Sequence, residues 1–497
     1  MGSVICVSLG RGRHRHLIAE YKHVAEQGGK LVELRLDFIQ TEVNLKRILA
    51  ERHCPVIITC RRSKDGGLWK GTEEARKLLL RTAIVEGVDY VDLEEDIAAS
   101  IPRYGKTKRI ISYHNFQETP EDLEALHARL AALNADIVKI ATLANNPRDN
   151  VRMMRMVKNA KVPTVGLCMG EMGMPSRILN GKFGSPFSFA TLNVERTMAP
   201  GQLSYEVMKN VYRYEQINAE TDVYGVVADP VAHSLSPVIH NAAFAELQLN
   251  KVYVPFRVSR EELPKFIQDC DELGVKGLSV TIPHKEAVLD LLHKSDDAVQ
   301  GIYAANTILF REGQSIGYNT DCRAAMASLE KALKQEEEAS LAMHRVLVLG
   351  AGGAAKAVVY GLRRQSAEVF ISNRNQGRAK DLADMFKAEV VPWDMRHTVQ
   401  PTIIINCTPV GMHPNVNESP YEGVHLKPNC TVFDTVYNPE TTLLLKQARD
   451  AGCNVVSGIE MFVGQAAAQF KLFTGCEAPL ETMRNVVRRA ISAVRVN

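Results

Sequence analysis

Lys139 interrupts the apolar run DIVKIA, and His114 closes the run RIISYH that precedes it. A lysine among apolar neighbours loses solvation, so its amine becomes a usable nucleophile toward a ketone. An imine formed there would draw electrons from the adjacent carbon. A nearby histidine could then remove a proton and let hydroxide leave from the next carbon. Spacing alone fits equally well a structural lysine at the rim of a fold and a hydrogen-bonded histidine.

A second group of residues lies further on. The stretch RVLVLGAGGAAKAVVYGL reads as strand, glycine turn and helix. Gly350 and Gly352 allow a tight turn and close approach of a pyrophosphate, Gly353 and Ala354 follow, and Ala355 takes the third small position of a dinucleotide fingerprint. The next β-like run, EVFISN, ends in Asn373-Arg374-Asn375, without an acid for a ribose hydroxyl. Arg374 and Arg378 suit a 2′-phosphate instead, favouring NADP over NAD, the alternative being two solvated arginines. Upstream, Ser234 and Ser236 offer two hydroxyls to a carboxylate, and LSVTIPHKE and YNTD supply Lys285 and Asp321. In contact, that lysine and aspartate could donate and accept the proton at a reacting oxygen; as isolated residues they read as a surface ion pair.

The elements that must position these groups are regular. Short β-like runs begin at Val4, Leu31, Val56, Asp89, Arg109, Asp136, Thr164 and Phe187, separated by helical patterns. Eight such units predict a closed (β/α)8 barrel over residues 1–217, with function at the strand C-termini. Those ends hold Glu33, Arg35, Arg61, Asp92, Glu94, His114 and Lys139, and later loops add Arg177 and Gln202. Between the fifth and sixth strands, Thr119-Pro120-Glu121-Asp122 reads as an N-cap with a proline at the first helical position, followed by an apolar face of Leu123, Leu126, Leu130 and Leu133. A β-like restart after Asn218 to Thr221 marks a boundary. A second α/β region spans 218–328, and beyond the polar connector QEEEASLAMH a nucleotide-binding lobe spans 329–469. The final helix, about 470–497, is expected to return to the second region.

Sixty basic against 57 acidic residues leave a formal charge of +3, which argues against a nucleic-acid binder. No apolar window approaches a membrane span, and the first apolar stretch is too short for a signal peptide. The ten cysteines are scattered without a C-x-x-C pair, which predicts reduced thiols, a cytosolic protein and no metal site. The cluster Arg11, Arg13, His14, Arg15 and His16 reads as solvated charge in preference to a lid over an anion. Nothing in the sequence specifies an oligomeric state.

The stretches VELRLD, TCRRSKDGG, ISYHNF, DIVKIA, PSRILNGKFGS and APGQ occur in order over about the first 215 residues. Together they resemble type I 3-dehydroquinate dehydratase. The resemblance implies Lys139 as the Schiff-base lysine and His114 as general acid/base, with Glu33, Arg35, Arg61, Arg177 and Gln202 binding substrate. Two positions depart from the family pattern: Asp65 stands where a glutamate usually orients the histidine, and Met198 where a serine is common.

Across residues 222 to 497, AHSLSPVIHN, GLSVTIPHKE, AANTI, GYNTD, GAGGAAKA, SNRN, NCTPVGM, DTVYNP and GIEMFVGQAAAQF resemble shikimate dehydrogenase. That likeness implies Lys285 and Asp321 as the catalytic pair. Ser234, Ser236, Thr281, Asn306, Tyr437 and Gln465 would surround the substrate. Gly350, Gly352, Gly353, Ala354, Asn373, Arg374, Arg378, Thr408 and Met461 would line the cofactor side; Asn375 replaces the usual threonine. The expected substrates are 3-dehydroquinate, 3-dehydroshikimate and shikimate. A quinate-oxidising fusion and a non-catalytic sensor built from related domains are the rivals; retention of both lysines, His114 and Asp321 disfavours the sensor.

Overall fold

A computed structural model describes residues 2–232, 234–333 and 340–492. They form two compact units, Met1–His233 with Asn250–Val275, and Ser234–Leu249 with Lys276–Asn497. The first half of the polar connector, from Gln335 to Ala339, lies outside the described residues.

In the first unit, eight strands run parallel: β1 (Val4–Leu9), β2 (Leu31–Arg35), β3 (Val56–Thr59), β4 (Tyr90–Glu94), β5 (Lys108–Asn115), β6 (Ile137–Leu143), β7 (Thr164–Met169) and β8 (Phe187–Thr191). Each starts within one residue of its expected position, because β-branched runs bounded by turns carry a strong local signal. Inward apolar side chains, among them Cys6, Ile57, Ile110, Ile137, Val165, Phe187 and Phe189, fill the interior.

The barrel is nearly closed. The ladder runs β7-β6-β5-β4-β3-β2-β1-β8, and no β7–β8 ladder joins its ends among the described residues. Serine side chains take the place of backbone partners at this seam. Ser176 Oγ accepts from Cys168 N–H at 2.7 Å, and Ser185 Oγ donates to the Thr164 carbonyl at 2.9 Å. A second difference concerns the helix after β5. It spans Leu123–Ala131 and is capped by Asp122, whose carboxylate accepts from Ala125 N–H at 2.8 Å. Thr119 is not the cap, since its hydroxyl donates to the Leu143 carbonyl at 2.9 Å.

The strands β9 (Asp222–Ala228) and β10 (Lys251–Arg257) also belong to the first unit and pair in parallel. The second unit holds β11 (Val275–Val280) from Lys276 on, with β12 (Lys294–Ser295), β13 (Thr307–Arg311) and β14 (Gln314–Tyr318). There β11 and β14 run antiparallel to β13, and β12 runs parallel to β14.

A parallel sheet follows: β15 (Arg345–Leu349), β16 (Glu368–Ser372), β17 (Glu389–Val390), β18 (Ile403–Asn406), β19 (Thr431–Asp434) and β20 (Asn454–Val456). Its order β17-β16-β15-β18-β19-β20 reverses direction at β15, as in doubly wound dinucleotide-binding folds. Strand alternation sorts the core: Val346, Val348, Ile403 and Ile405 pack on one face, Leu347, Leu349 and Ile404 on the other. The helix Leu480–Ile491 packs on the helix Ser236–Glu246.

Candidate functional sites

The first site is a cavity at the C-terminal ends of the barrel strands. It is lined by Glu33, Arg35, Arg61, His114, Lys139, Arg177 and Gln202, all expected there, together with Asp65, Phe189 and Met198. Period-2 geometry explains why: Glu33 with Arg35, and Ser112 with His114, share the inward face of their strands.

Lys139 Nζ donates to Asp92 Oδ2 at 2.9 Å and stands 3.5 Å from Glu33 Oε1, over the face of Phe189 at 4.0 Å. Its site-facing neighbours are therefore two carboxylates and one ring, not the apolar surroundings expected from the sequence. Val138 and Ile140, its neighbours in the run, point to the opposite face of β6. Both carboxylates are held by hydroxyls. Ser8 and Thr59 donate to Glu33 at 2.6 and 2.8 Å, and Ser112 donates to Asp92 at 2.6 Å.

Burial works against the charge of Asp92, yet Arg61 at 2.9 Å and Lys139 outweigh it and hold its carboxyl well below the usual range. Glu33 is likewise lowered, because Lys139, Arg35 and Arg61 overcome its burial. His114 goes the other way for its type. Burial first, then the cations Arg61 and Lys139, push its pKa well below the ordinary value, so the imidazole is neutral at neutral pH. One of its ring nitrogens contacts Arg61 Nη1.

Asp65 does not orient the histidine in the described contacts; Arg62 Nε holds it at 2.6 Å. Met198 Sδ lies 4.0 Å from Arg35 Nη1, whose guanidinium is otherwise clamped by Asp37 at 2.8 and 2.9 Å. Gln202 Oε1 accepts from Met198 and Ala199 N–H at 3.0 and 3.2 Å and so fixes the loop above the cavity.

Arg177 is fully buried, and no carboxylate reaches it within ion-pair distance among the described residues. Its Nη2 donates only to the Pro200 carbonyl at 3.2 Å, its Nε has no hydrogen-bond partner, and burial lowers its pKa to about 10. A charged guanidinium facing a cavity without a counter-ion suits an anionic ligand.

The basic cluster near the N-terminus does not line this cavity. Arg13 and Arg15 are exposed, as expected of solvated charge. Arg11 and His16 are half-buried, Arg11 paired with Glu20 at 3.4 Å, and His14 is buried, its Nε2 accepting from Asn44 N–H at 2.9 Å.

In the second unit, Lys285 Nζ lies 2.6 Å from Asp321 Oδ2. Asn306 Nδ2 holds Asp321 Oδ1 at 2.9 Å and Thr320 Oγ1 at 2.8 Å. The segment bearing Lys285 is tied to the same place, since Ala305 N–H donates to the Lys285 carbonyl at 2.8 Å. Sequence reasoning missed Gln469. It is buried and bridges Ser279, Thr307 and the Asn306 carbonyl at 2.7, 3.0 and 3.1 Å, although its four-residue spacing from Gln465 places both on one helix face.

Direct contacts thus join Lys285, Asp321 and Asn306. The other expected substrate residues make local bonds. Ser236 N–H donates to Ser234 Oγ at 3.3 Å, the Thr281 carbonyl accepts from His284 N–H, and Gln465 donates to the Phe462 carbonyl at 3.0 Å. Tyr437 stacks on Phe462 at 4.4 Å, and burial pushes its phenol pKa up.

The glycine turn after β15 opens toward a ligand. Gly350 has φ +110°, and an added Cβ would stand 2.9 Å from the Cys407 carbonyl oxygen. A Cβ on Gly352 would meet nothing within 4 Å, so the space above it is open. Next to it the helix Gly353–Arg364 begins, and a Cβ on Gly353 would lie 3.8 Å from Lys285 Cδ. Lys285 therefore borders the glycine turn; Ala354 is the second residue of that helix.

Beyond β16, Asn373 donates to the Asn375 carbonyl, and Asn375 caps the next helix by accepting from Arg378 N–H at 3.1 Å. Arg374 and Arg378 are exposed, with no ion pair among the described residues. Thr408 is anchored on Asn406 at 2.7 Å beside Gly350. Met461 packs in the core with Ala355 and Val358. No described helix is long and apolar enough to cross a membrane.

These features define an α/β enzyme with two catalytic modules, a lyase-type barrel and a dinucleotide-dependent dehydrogenase. Family models agree along the chain: type I 3-dehydroquinase matches residues 5–219, and the shikimate dehydrogenase substrate binding domain matches 226–308. Shikimate / quinate 5-dehydrogenase matches 330–423, and the shikimate 5′-dehydrogenase C-terminal domain matches 458–488. The chloroplastic bifunctional 3-dehydroquinate dehydratase/shikimate dehydrogenase of Arabidopsis thaliana is 40% identical over 96% of this chain and 83% of its own. The chain belongs to that bifunctional family. Among solved structures, a shikimate dehydrogenase in complex with NADP+ matches at 36% identity with TM-score 0.52, over 56% of this chain and 98% of its own. The Aquifex aeolicus shikimate dehydrogenase matches at 37% identity with TM-score 0.51, over 55% and 99%.

Proposed function

We propose that the chain dehydrates 3-dehydroquinate to 3-dehydroshikimate through an imine on Lys139, then reduces that product to shikimate with NADPH. One observation carries the reading: a buried lysine amine, set between Asp92 and Glu33, shares a cavity with an uncharged imidazole. Lys139 gives up a proton and attacks the ring ketone, and the resulting carbinolamine loses water to leave the imine. His114 takes a proton from the adjacent carbon. The C–O bond one carbon further breaks, and the departing oxygen leaves as water with the proton from His114. A second water hydrolyses the imine and restores the amine. Arg177, lacking a counter-ion, is suited to the substrate carboxylate, with Glu33, Arg35, Arg61 and Gln202 around the ring.

In the second module NADPH, when bound, supplies the hydride. Lys285 donates the proton to the ketone oxygen, and Asp321, oriented by Asn306, completes the proton exchange. Ser234, Ser236 and Tyr437 serve the carboxylate side of the substrate, and Thr281 and Gln465 complete its surroundings. Gly350, Gly352, Gly353 and Ala354 receive the pyrophosphate. Arg374 and Arg378, exposed where an NAD site would carry an acid, read the 2′-phosphate, flanked by Asn373 and with Thr408 and Met461 behind the turn. Residues 218–328 with the last helix would be the substrate lobe and 329–469 the nucleotide lobe. Ten free cysteines support a reducing compartment such as the cytosol.

The test is borohydride trapping. Reduction in the presence of 3-dehydroquinate should leave a ligand-derived mass on the peptide containing Lys139. No adduct, or an adduct on Lys161 or Lys182, would overturn the imine mechanism.

A further inference from the structure

The second unit carries a group of metal-binding side chains that neither reaction uses. His397 lies in the 3-10 turn Trp393–Thr398, between β17 and β18. Glu422 and His425 lie at the turn Gly423–His425, between β18 and β19. One ligand atom from each of the three stands within 4.8 Å of the other two. The two imidazoles are stacked, with centroids 4.0 Å apart at 25°, and Glu422 Oε2 is 3.6 Å from His425 Nε2. His397 Nδ1 is shut off from solvent and has no hydrogen-bond partner.

We infer that His397, Glu422 and His425 form a binding site for a divalent transition metal, with Zn²⁺ as the ion it suits best. Two imidazoles and one carboxylate match the donor preference of Zn²⁺, whereas Mg²⁺ and Ca²⁺ call for oxygen ligands. Tetrahedral bonds of about 2.0–2.2 Å place neighbouring ligand atoms about 3.3 Å apart, so the cluster closes by rotating side chains, with no change of backbone. Glu422 and His425 are exposed and free to rotate, and they leave the fourth position to water.

The placement gives the ion a structural task. Both connections cover the sheet face built from Leu347, Leu349 and Ile404, yet they carry short 3-10 turns in place of full helices. Arg396 already links the two, donating to the Pro420 carbonyl at 2.9 Å and to the Trp393 carbonyl at 2.6 Å. A metal held by His397 on one connection and by Glu422 and His425 on the other would tie this thin layer together.

The experiment is calorimetric titration of the full chain, first stripped with chelator, with ZnCl₂, alongside thermal unfolding with and without the ion. We expect one saturable site and a rise in Tm with Zn²⁺ that Mg²⁺ does not reproduce. His425→Asn, at an exposed position, should weaken binding about tenfold or more, and His397→Ala with His425→Asn should abolish the Tm rise. Retained shikimate dehydrogenation shows that the variants fold. The inference is overturned if Zn²⁺ gives no saturable site, or if the double variant binds it as the parent does, in which case thiols or other histidines hold the ion.

Discussion

Arg177 and His114 show how burial tunes single groups in the barrel. Arg177 carries a desolvated charge that the protein does not neutralise, so removing it should help stability and harm binding. Arg177→Met is expected to raise Tm while increasing KM for 3-dehydroquinate about 10- to 100-fold, as for loss of a charged hydrogen bond of about 1.5–3 kcal/mol. Steady-state rates and thermal unfolding on the same preparation would check both signs; an unchanged KM would remove Arg177 from the carboxylate. His114 must be neutral to take a proton, and its pKa is lowered by burial and then by Arg61 and Lys139. The acidic limb of kcat/KM for dehydration should therefore fall below pH 6.5. In the unfolded chain the same histidine binds its proton at a higher pH. Its contribution to stability thus declines as pH drops from about 6.5 toward the lowered folded value, which denaturation across that window would reveal.

The turn between β15 and its helix divides labour between two glycines. Gly350→Ala forces a side chain into φ +110° and toward the Cys407 carbonyl, so it should lower stability by about 1–3 kcal/mol. Gly352→Ala has φ −95° and open space around the new carbon, so Tm should hold or rise slightly. In the proposed cofactor site that carbon would stand where the pyrophosphate approaches, so KM for NADPH should increase well above that of the parent. Thermal unfolding and NADPH titration of the two variants would separate fold from binding. If Gly352→Ala left KM unchanged, the turn would not be the phosphate cradle.

Each of the two units contains its own site, with Lys139 and His114 in one and Lys285 and Asp321 in the other. Lys139→Ala should abolish NADPH consumption from 3-dehydroquinate and leave consumption from 3-dehydroshikimate near the parent rate. Lys285→Ala should abolish NADPH consumption from either substrate and leave dehydration, followed by ultraviolet absorbance, near the parent rate. Loss of both activities in a folded single variant would contradict independent modules.

Strand positions, the glycine turn and which polar residues stand at strand ends were legible from order alone, because they rest on local rules. Runs such as VICVSL and LVELRL declare themselves through β-branched residues and flanking turns, and period-2 geometry carries Glu33 and Arg35 to one face. Partners across strands obey no such rule. That Lys139 meets Asp92 and Glu33 in place of apolar side chains follows from barrel register, which brings together residues 47 and over 100 positions apart. The isolation of Arg177, the serine-filled seam and the grouping of His397 with Glu422 and His425 arise in the same way. Hydrophobic periodicity dictates which face a side chain takes; which charge it meets there is set by how distant segments close on one another.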